Sequence, residues 1–336
     1  MTEVSSGSGA RPSILANFRG SGLYHRLLAF SGLIVLVIGF SLASPNFLQT
    51  GNVINILQAT SVNGVLAVAA TLVIISGGID LSVGTLMTFC AVIAGVLMTY
   101  WGLPIAVGVP GALLTGLACG AISGIFIAKL KIPPFIATLG MMLIYKGLAL
   151  AICGAKPIYF NSSPGFTQIS TGSIIGTVIP ALPIPNGVVI LFLVAGIASF
   201  ILSRTALGRF TFAMGSNEEA LRLSGVNIDG WKIAIYGLAG AICGVAGILL
   251  ASRINSAQPA IGQGYELDAI AAVVIGGTSL SGGRGTMLGT MVGALIISVV
   301  ANGLRILSVP QEWQIVVTGS IIIVAVYVDI LRRDRA

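Results

Sequence analysis

The sequence predicts an all-α fold, a polytopic transmembrane helical bundle of about ten spans with cytoplasmic N- and C-termini. Hydrophobic residues make up 56% of the 336 residues and charged residues only 8%, and the mean hydropathy is +1.02. A soluble globular chain carries about 25% charged residues, so this chain could not cover a water-facing surface. Lipid must therefore be its main solvent, and its length is counted in spans of about 20 apolar residues.

The second observation is a series of ten apolar runs. Each run is continuous, whereas strands of a membrane barrel would alternate over about 10 residues, so helices are predicted. The shortest is the run at 267–280. The runs are Leu27–Ala43, Val53–Ile75, Leu81–Tyr100, Leu103–Leu130, Pro133–Cys153, Val188–Leu202, Ile233–Ala251, Leu267–Leu280, Thr286–Leu304 and Trp313–Val328.

The third observation is the distribution of the 17 lysines and arginines. With ten spans and a cytoplasmic N-terminus, only Lys156, Arg253 and Arg305 face outside, Lys146 lies within a span, and all the others face inside. Inside loops of membrane proteins carry such a basic excess. Topology thus explains the net charge of +7, and binding to nucleic acid is not predicted.

This topology divides the chain into a membrane domain and two short tails. Residues 27–330 are predicted to form the domain, with cytoplasmic tails at 1–26 and 331–336. An external loop at 154–186 is rich in proline and is expected to form an ordered, irregular cap. A cytoplasmic loop at 203–232 is the most charged stretch of the chain, and long loops in compact proteins are usually functional or disordered.

A short helix is predicted over Asn217–Ser224 in the cytoplasmic loop. Ser216 and Glu219 have the spacing of a capping box, and Gly225 is suited to terminate a helix. Asp229 is expected to cap the next span. Such a helix has two interpretations, since it could rest on lipid headgroups or dock into a partner protein.

Glycines form two ladders and one internal echo. The ladders, at 116–124 and 285–293, repeat every four residues and predict close helix packing. The echo matches Gly77-Gly78-Ile79-Asp80-Leu81-Ser82 with Gly276-Gly277-Thr278-Ser279-Leu280-Ser281, as GG-x-x-LS. The two copies are candidates for related hairpins or broken helices.

Asp80 is the main candidate for a functional charge near the membrane interior. It follows Gly77 and Gly78, precedes Ser82, and separates two long apolar runs. Charges at membrane depth are costly and are functional candidates. The alternative is that Asp80 only caps the next helix at the cytoplasmic interface.

Two carboxylates, Glu266 and Asp268, are expected at the outer end of the eighth span. Paired carboxylates can perform acid–base catalysis, but residues two apart on a helix do not face each other. Capping or external docking is therefore favoured. Tyr265 and Arg253 are neighbouring candidates for contact with a sugar or a binding protein.

Enzyme chemistry is not indicated. Leu280–Arg284 reads LSGGR and looks like the signature loop of ATPases, but the chain has no GxxxxGK[ST] phosphate loop, so ATP binding is not predicted. A single histidine and the lack of a CxxC pair argue against a metal site. No cofactor is predicted.

Taken as a set, these segments resemble the permeases of ribose/xylose/galactose-type ABC importers, over roughly residues 27–330. The similar segments are SGGIDLSVG at 76–84, PPFIATLGM at 133–141, the stretch 265–286, and a coupling pattern in the cytoplasmic loop. That pattern, with approximate spacing at its final glycine, is carried by Ala213, Gly215, Asn217, Ala220 and Gly225, with Glu218 and Glu219 between them.

The resemblance implies a homodimeric permease in the bacterial inner membrane that forms the pathway for a ribose-like monosaccharide. It also implies a cytoplasmic ABC ATPase and a periplasmic or extracellular sugar-binding protein as partners, with membrane lipid around the dimer. The alternative is a stand-alone secondary transporter, which would need coupling residues in the bundle. Only Asp80 and Lys146 are placed for that role, and Lys146 can extend its ammonium toward the interface.

Overall fold

The computed structural model describes residues 22–333. The predicted tails, 1–26 and 331–336, lie largely outside this range, and their described parts belong to the first and last helices. The helices are α1 (Gly22–Ala43), α2 (Thr50–Ile75), α3 (Val83–Gly95, continuing as a π-helix over Val96–Tyr100), α4 (Ile105–Ala128), α5 (Pro134–Ile152), α6 (Ile174–Val178), α7 (Asn186–Arg204), α8 (Ala206–Leu223), α9 (Ile228–Ile254), α10 (Tyr265–Ile275), α11 (Met287–Ile306) and α12 (Gln311–Arg333). A 3₁₀ turn covers Phe166–Ile169, and two short strands are β1 (Ile158–Tyr159) and β2 (Ser256–Ala257).

The prediction of an all-α membrane protein is confirmed, and each of the ten apolar runs contains a helix. Within residues 22–333, seven helices are long and apolar enough to cross a membrane: α2, α3 with its π-helical end, α4, α5, α7, α9 and α11. The apolar parts of α1 and α12 are shorter, Phe30–Ala43 and Gln311–Val324. Helix α10 has 11 residues, or about 16 Å at 1.5 Å per residue.

Four of these helices form the centre of the bundle and three lie outside it. The most hydrophobic stretch of α2 is 83% buried, whereas that of α4 is only 22% buried. Helices α3, α9 and α11 resemble α2 in this respect, and α5 and α7 resemble α4. Because α4, α5 and α7 are as apolar as the central helices, their exposed faces are suited to lipid or to another protein.

The glycine ladders bring helix backbones into direct contact. A Cβ atom on Gly116 of α4 would collide with the carbonyl of Gly240 on α9, and the reverse also holds. One turn along, Gly120 packs in the same way on the carbonyl of Tyr236. On the other side of the bundle, Gly293 of α11 lies on the backbone of Ala272 in α10. Close helix packing, as the ladders predicted, is therefore their structural role.

The long loop at 154–186 is ordered and irregular. Its first residues pair with the segment after α9, where Ile158 lies opposite Ala257 in an antiparallel bridge between β1 and β2. The rings of Phe160 and Phe166 stack with centroids 4.1 Å apart. Ser252 of α9 then donates a hydrogen bond to the carbonyl of Phe166. These contacts fix the loop over one end of the bundle.

Candidate functional sites

The two copies of the glycine echo end two helices in the same way. In α2, Gly77 adopts φ +84°, its N–H donates to Ile74, and the N–H of Gly78 donates to Val73. In α10, Gly277 adopts φ +85°, and the N–H groups of Gly277 and Thr278 donate to Val274 and Val273. Both are Schellman motifs, which need a left-handed residue after the helix. The structural match pairs Gly77 with Gly277, one residue out of register with the sequence match.

These two helix ends meet α8 at a contact that we call the glycine junction, formed by Ile75, Gly77, Gly215, Gly282 and Gly283. The N–H of Gly283 donates to the carbonyl of Ile75 at 2.9 Å. A Cβ atom on Gly215 would collide with that same carbonyl and with the N–H of Gly283. A Cβ atom on Gly282 would lie 2.9 Å from the Cα atom of Gly215. Backbone therefore packs on backbone at Gly215 and Gly282, where no side chain larger than hydrogen fits.

Helix α8 is kinked two residues after the junction. Asn217 has non-helical angles, φ −160° and ψ 96°, and its Oδ1 accepts a hydrogen bond from the N–H of Ala220 at 2.9 Å. The expected capping box of Ser216 and Glu219 is thus wrong by one residue, because Asn217 is the cap. The short helix ends at Leu223, and Gly225 follows with φ +82°, as expected for a helix terminator.

Glu218 is paired with two basic residues of its own subunit. It accepts hydrogen bonds from Lys232 at 2.7 Å and from Arg222 at 3.0 Å. Partial burial opposes ionisation of Glu218, but the bonds and charges of Lys232 and Arg222 outweigh it, so the pKa of Glu218 lies below its ordinary value. Glu218 therefore fixes the short helix against the start of α9.

The opposite side of the short helix is exposed. Glu219 and Ala220 are both exposed, and Leu223 is 85% exposed although it is a large hydrophobic residue. We call Glu219, Ala220 and Leu223 the tip of α8. A single exposed leucine is common on protein surfaces, so the tip becomes a candidate contact surface through its position next to the glycine junction.

The start of α9 differs from the prediction. Asn227, and not Asp229, caps the helix, because its Oδ1 accepts a hydrogen bond from the N–H of Gly230 at 3.1 Å. Asp229 instead pairs with Lys131 at 2.9 Å and with Lys129 at 3.7 Å. These pairs tie the connection between α4 and α5 to the start of α9, close to the tip of α8.

Asp80 lies in the break between α2 and α3. It is buried, and its Oδ1 accepts hydrogen bonds from the N–H and the hydroxyl of Ser82 at 2.7 and 2.6 Å. Ser82 is the residue before α3, and its own side chain makes no cap bond. Thr138 of α5 holds the same turn through Ile79 and Leu81. Asp80 thus shapes the turn that starts α3.

The carboxylates expected at the outer end of the eighth span lie in the first turn of α10. Helix α10, which they begin, covers about 16 Å, half of the roughly 30 Å of a membrane core. Glu266 is buried and accepts the N–H of Gly264 at 3.0 and 3.1 Å through its two oxygens. Tyr265 and Asp268 stand in the same first turn, and both are partly buried.

The end of the bundle away from α8 contains a polar cavity of about 340 Å³. It is lined by Asn52, Asn55, Arg253, Asn302, Arg305 and Ile306. The amide of Asn302 donates to Asn52 at 3.0 Å, while its buried Oδ1 has no hydrogen-bond partner among the described residues. The ion pairs found within residues 22–333 include neither arginine. The cavity therefore presents two unpaired positive charges.

Known proteins have similar sequences. A family model described as the permease component of a branched-chain amino acid transport system matches residues 52–326. The ribose import permease protein RbsC of Escherichia coli K12 is 44% identical over 304 residues, covering 88% of this chain and 91% of the relative. The chain belongs to the family of sugar ABC importer permeases. The permease is thus a subunit of an ABC importer, and the predicted family and role are confirmed.

Other relatives of the permease carry similar names. RbsC of Bacillus subtilis 168 is 41% identical over 310 residues, covering 92% of this chain and 94% of the relative. The fructose import permease protein FrcC of Rhizobium meliloti is 38% identical over 306 residues, covering 88% and 83%. No solved structure matches the chain significantly.

Three features of the permease were not found from the sequence. Gly282 and Gly283 lie in the LSGGR segment. Because the chain has no phosphate loop, ATP binding was not predicted there, and no other role was assigned to these two glycines. Leu223 read as an ordinary apolar helix residue. Asn302 lies near the end of an apolar run, and its polar amide side chain in that run was the signal that could have drawn attention to it.

Proposed function

We propose that two copies of this chain form the pathway for a ribose-like monosaccharide across a bacterial inner membrane. In this proposal the helices of all ten apolar runs cross the membrane or enter it, both termini are cytoplasmic, and α8 lies on the cytoplasmic side. ATP is hydrolysed by a separate cytoplasmic ABC ATPase, and sugar arrives on an external sugar-binding protein. The observation that carries the proposal is the tip of α8, which is exposed on one side and joined to the membrane helices through the glycine junction.

The glycine junction supports a role for α8 in coupling. Gly215 lies two residues before Asn217, so the tip and the junction are parts of one short segment. A force applied to the tip reaches the ends of α2 and α10 through backbone contacts, which are stiffer than long side chains. Glu218 adds a second connection, to Lys232 in α9. Gly215, Asn217, Glu218, Glu219, Ala220 and Gly225 are therefore proposed to form the coupling site, with Leu223 as its main apolar contact.

The polar cavity supports a role for the opposite end in docking. Arg253 and Arg305 lie in the last turns of α9 and α11, where cations are stabilised by the helix dipole. Carboxylates on the binding protein would complement them and would speed its association. Asn52, Asn55 and Asn302 add neutral donors and acceptors around the two charges.

A sugar fits the chemistry of the bundle better than an ion does. Buried charges among the described residues are few, and Asp80 and Glu266 are both engaged with neighbouring N–H groups. The family model is described for branched-chain amino acids, whereas the RbsC relatives are named for ribose import and FrcC for fructose import. Leucine is therefore the informative competing substrate.

Reconstitution tests this proposal. The permease, its ATPase and its sugar-binding protein would be placed in liposomes, and uptake of labelled ribose, fructose, xylose and leucine would be measured. We expect ribose uptake that requires ATP and the binding protein, and no ATP hydrolysis by the permease alone. Ribose uptake driven by an ion gradient without the ATPase would instead support the secondary transporter.

The coupling site can be tested in the same liposomes. Leu223→Glu and Glu219→Lys should each weaken ATPase association and uptake while leaving membrane abundance unchanged. Glu312→Lys is the matched control, because Glu312 is exposed at the start of α12 and far from α8 in the fold. If α8 only rests on lipid, Glu219→Lys should leave transport intact or strengthen attachment to anionic membranes.

Topology needs a separate measurement. Cysteines placed at Ser163 and Ser216, in a chain whose four native cysteines are replaced, should react from opposite sides of the membrane. Ser163 lies in the loop over one end of the bundle and Ser216 beside the glycine junction at the other. Reaction of both from one side would overturn the proposed orientation.

A further inference from the structure

Lys146 is a charge in the middle of an apolar helix. It lies twelve residues after the start of α5 and six before its end, or about 18 Å along the helix. It is the only charged residue between Lys131 and Lys156. Leu143, which precedes Lys146 by three residues on the same face of the helix, is exposed, and Lys146 itself is half-buried, so this face of α5 is only partly covered by the rest of the subunit.

The segment before α10 contacts Lys146. The ammonium group of Lys146 donates a hydrogen bond to Oε1 of Gln263 at 2.7 Å. Gln263 lies between Gly262, which is packed on the backbone of Gly84 in α3, and Gly264, which adopts φ +101°. The non-helical segment 258–264 therefore packs between α3 and α5, at the level of Lys146, just before α10 begins.

Two independent arguments place water beside this pair. A lysine at membrane depth is costly in lipid and almost always faces a bundle interior or a water-filled cavity. Non-helical backbone at that depth is tolerated only inside protein or along a water-filled cavity. Gln263 is exposed on the subunit surface, so its side chain is not enclosed by its own subunit. The first argument concerns Lys146 and the second concerns the segment around Gln263, and these two residues are in contact.

We propose that Lys146 and Gln263 line the translocation pathway and bind the hydroxyl groups of the passing sugar. This inference rests on the proposed function and assigns its specificity-determining contact. The ammonium has two donors besides the one given to Gln263, and the amide nitrogen of Gln263 is a further donor. Sugar hydroxyls accept from such groups and can donate to Oε1 of Gln263 in place of Lys146. An uncharged, hydroxyl-rich solute is the class of ligand that this pair recognises.

Uptake and ATP hydrolysis, measured together, test the pair. Lys146→Met and Gln263→Leu should each lower ribose uptake by about tenfold or more, the loss of one good hydrogen-bonding contact. Hydrolysis stimulated by the binding protein should persist, because the coupling site is unchanged. Lys146→Arg, which keeps the charge and the donors, should retain most of the uptake. Lys156→Met is the matched control, since Lys156 is exposed in the loop after α5.

A second measurement keeps the proposal testable if a variant folds poorly. Gln263→Cys, in a chain without the native cysteines, should react with a membrane-impermeant thiosulfonate and should be protected by saturating ribose in the assembled transporter. A cysteine that does not react, or whose reaction is unaffected by ribose, overturns the proposal, as does wild-type uptake in Lys146→Met. If the wild-type assembly takes up no ribose at all, the proposed function fails instead.

Discussion

The two ends of the permease are built on opposite principles. At the end with α8, the glycine junction excludes side chains, and the backbone of Gly215 lies directly against Ile75 and Gly283. At the other end, Arg253 and Arg305 line an open polar cavity without ion-pair partners among the described residues. The first arrangement suits a contact that must transmit movement without loss. The second suits a contact that forms and breaks with each delivery of substrate.

The two ends differ in how well they tolerate an amino-acid substitution. A packed backbone contact cannot relax around an added methyl group, because the neighbouring atoms are themselves backbone. A hydrated cavity loses only part of an electrostatic attraction when one charge is removed, and salt screens the remainder. The following variants would break or sharpen this contrast.

The largest effect is expected at Gly215. Gly215→Ala places a Cβ atom on the carbonyl of Ile75 and the N–H of Gly283, so we expect a loss of about 3 kcal/mol, the upper part of the range for overpacking. Thermal unfolding in detergent and membrane abundance would measure it. Gly140→Ala is the control, because Gly140 lies in a helix with open space around its Cα atom. A stable and active Gly215→Ala protein would contradict the rigid junction.

A smaller loss of stability is expected when Asp80 is replaced. Asp80→Ala removes both hydrogen bonds to Ser82 and should destabilise the turn before α3 by about 1.5–3 kcal/mol. Sugar uptake should fall together with the stability of this turn. Asp80→Asn keeps an acceptor for Ser82 and should be milder in both respects. Abundance must be measured alongside uptake, since normal uptake at normal abundance in Asp80→Ala would limit the residue to a minor capping role.

At the polar cavity the expected effect is on binding and not on folding. Arg305→Gln should weaken docking of the binding protein by about tenfold, or about 1.4 kcal/mol, with little change in thermal stability. The same change should flatten the salt dependence of the association rate. Surface-based binding measurements at two salt concentrations would show this. Equal affinity and equal salt dependence in the variant and the wild type would exclude the cavity as the docking site.

The smallest effect is expected at Glu218. Its side chain is 38% exposed, so Glu218→Gln should cost no more than about 1 kcal/mol. Because the pKa of Glu218 is lowered on folding, its contribution is complete above the ordinary value of 4.5 and is lost as the pH falls through the lowered value. Thermal stability of the wild type and of Glu218→Gln should therefore differ by a constant amount from pH 6 to 8. A difference that changes across that range would point to another titrating group.

Much of the fold was predictable from local patterns. Each apolar run became a helix because a chain in lipid must satisfy its own backbone hydrogen bonds. The ladder at Gly116 and Gly120 predicted close packing, since spacing by four places both on one helix face. Gly225 was recognisable as a terminator. These features depend on neighbours within a few residues, and sequence spacing describes such neighbours well.

The errors share one cause. The cap at Asn217 was placed at Ser216 because both residues are good caps, and only the kink in α8 decides between them. Asp229 was expected to cap α9, but it forms an ion pair with Lys131, which lies in the connection between α4 and α5. In each case a contact with another part of the chain decided the outcome. The kink follows Gly215, which packs on Ile75 and Gly283, and Asp229 pairs with Lys131.

The sequence by itself determined the solvent of this protein, the number and type of its apolar segments and the family to which it belongs. Composition and periodicity carry that information because lipid acts on every residue in the same way. Only the tertiary structure decided that the LSGGR segment packs on Gly215 and that Lys146 contacts Gln263. The physical reason is that these contacts join residues 67 to 117 positions apart, and nothing in either partner's local sequence specifies the other.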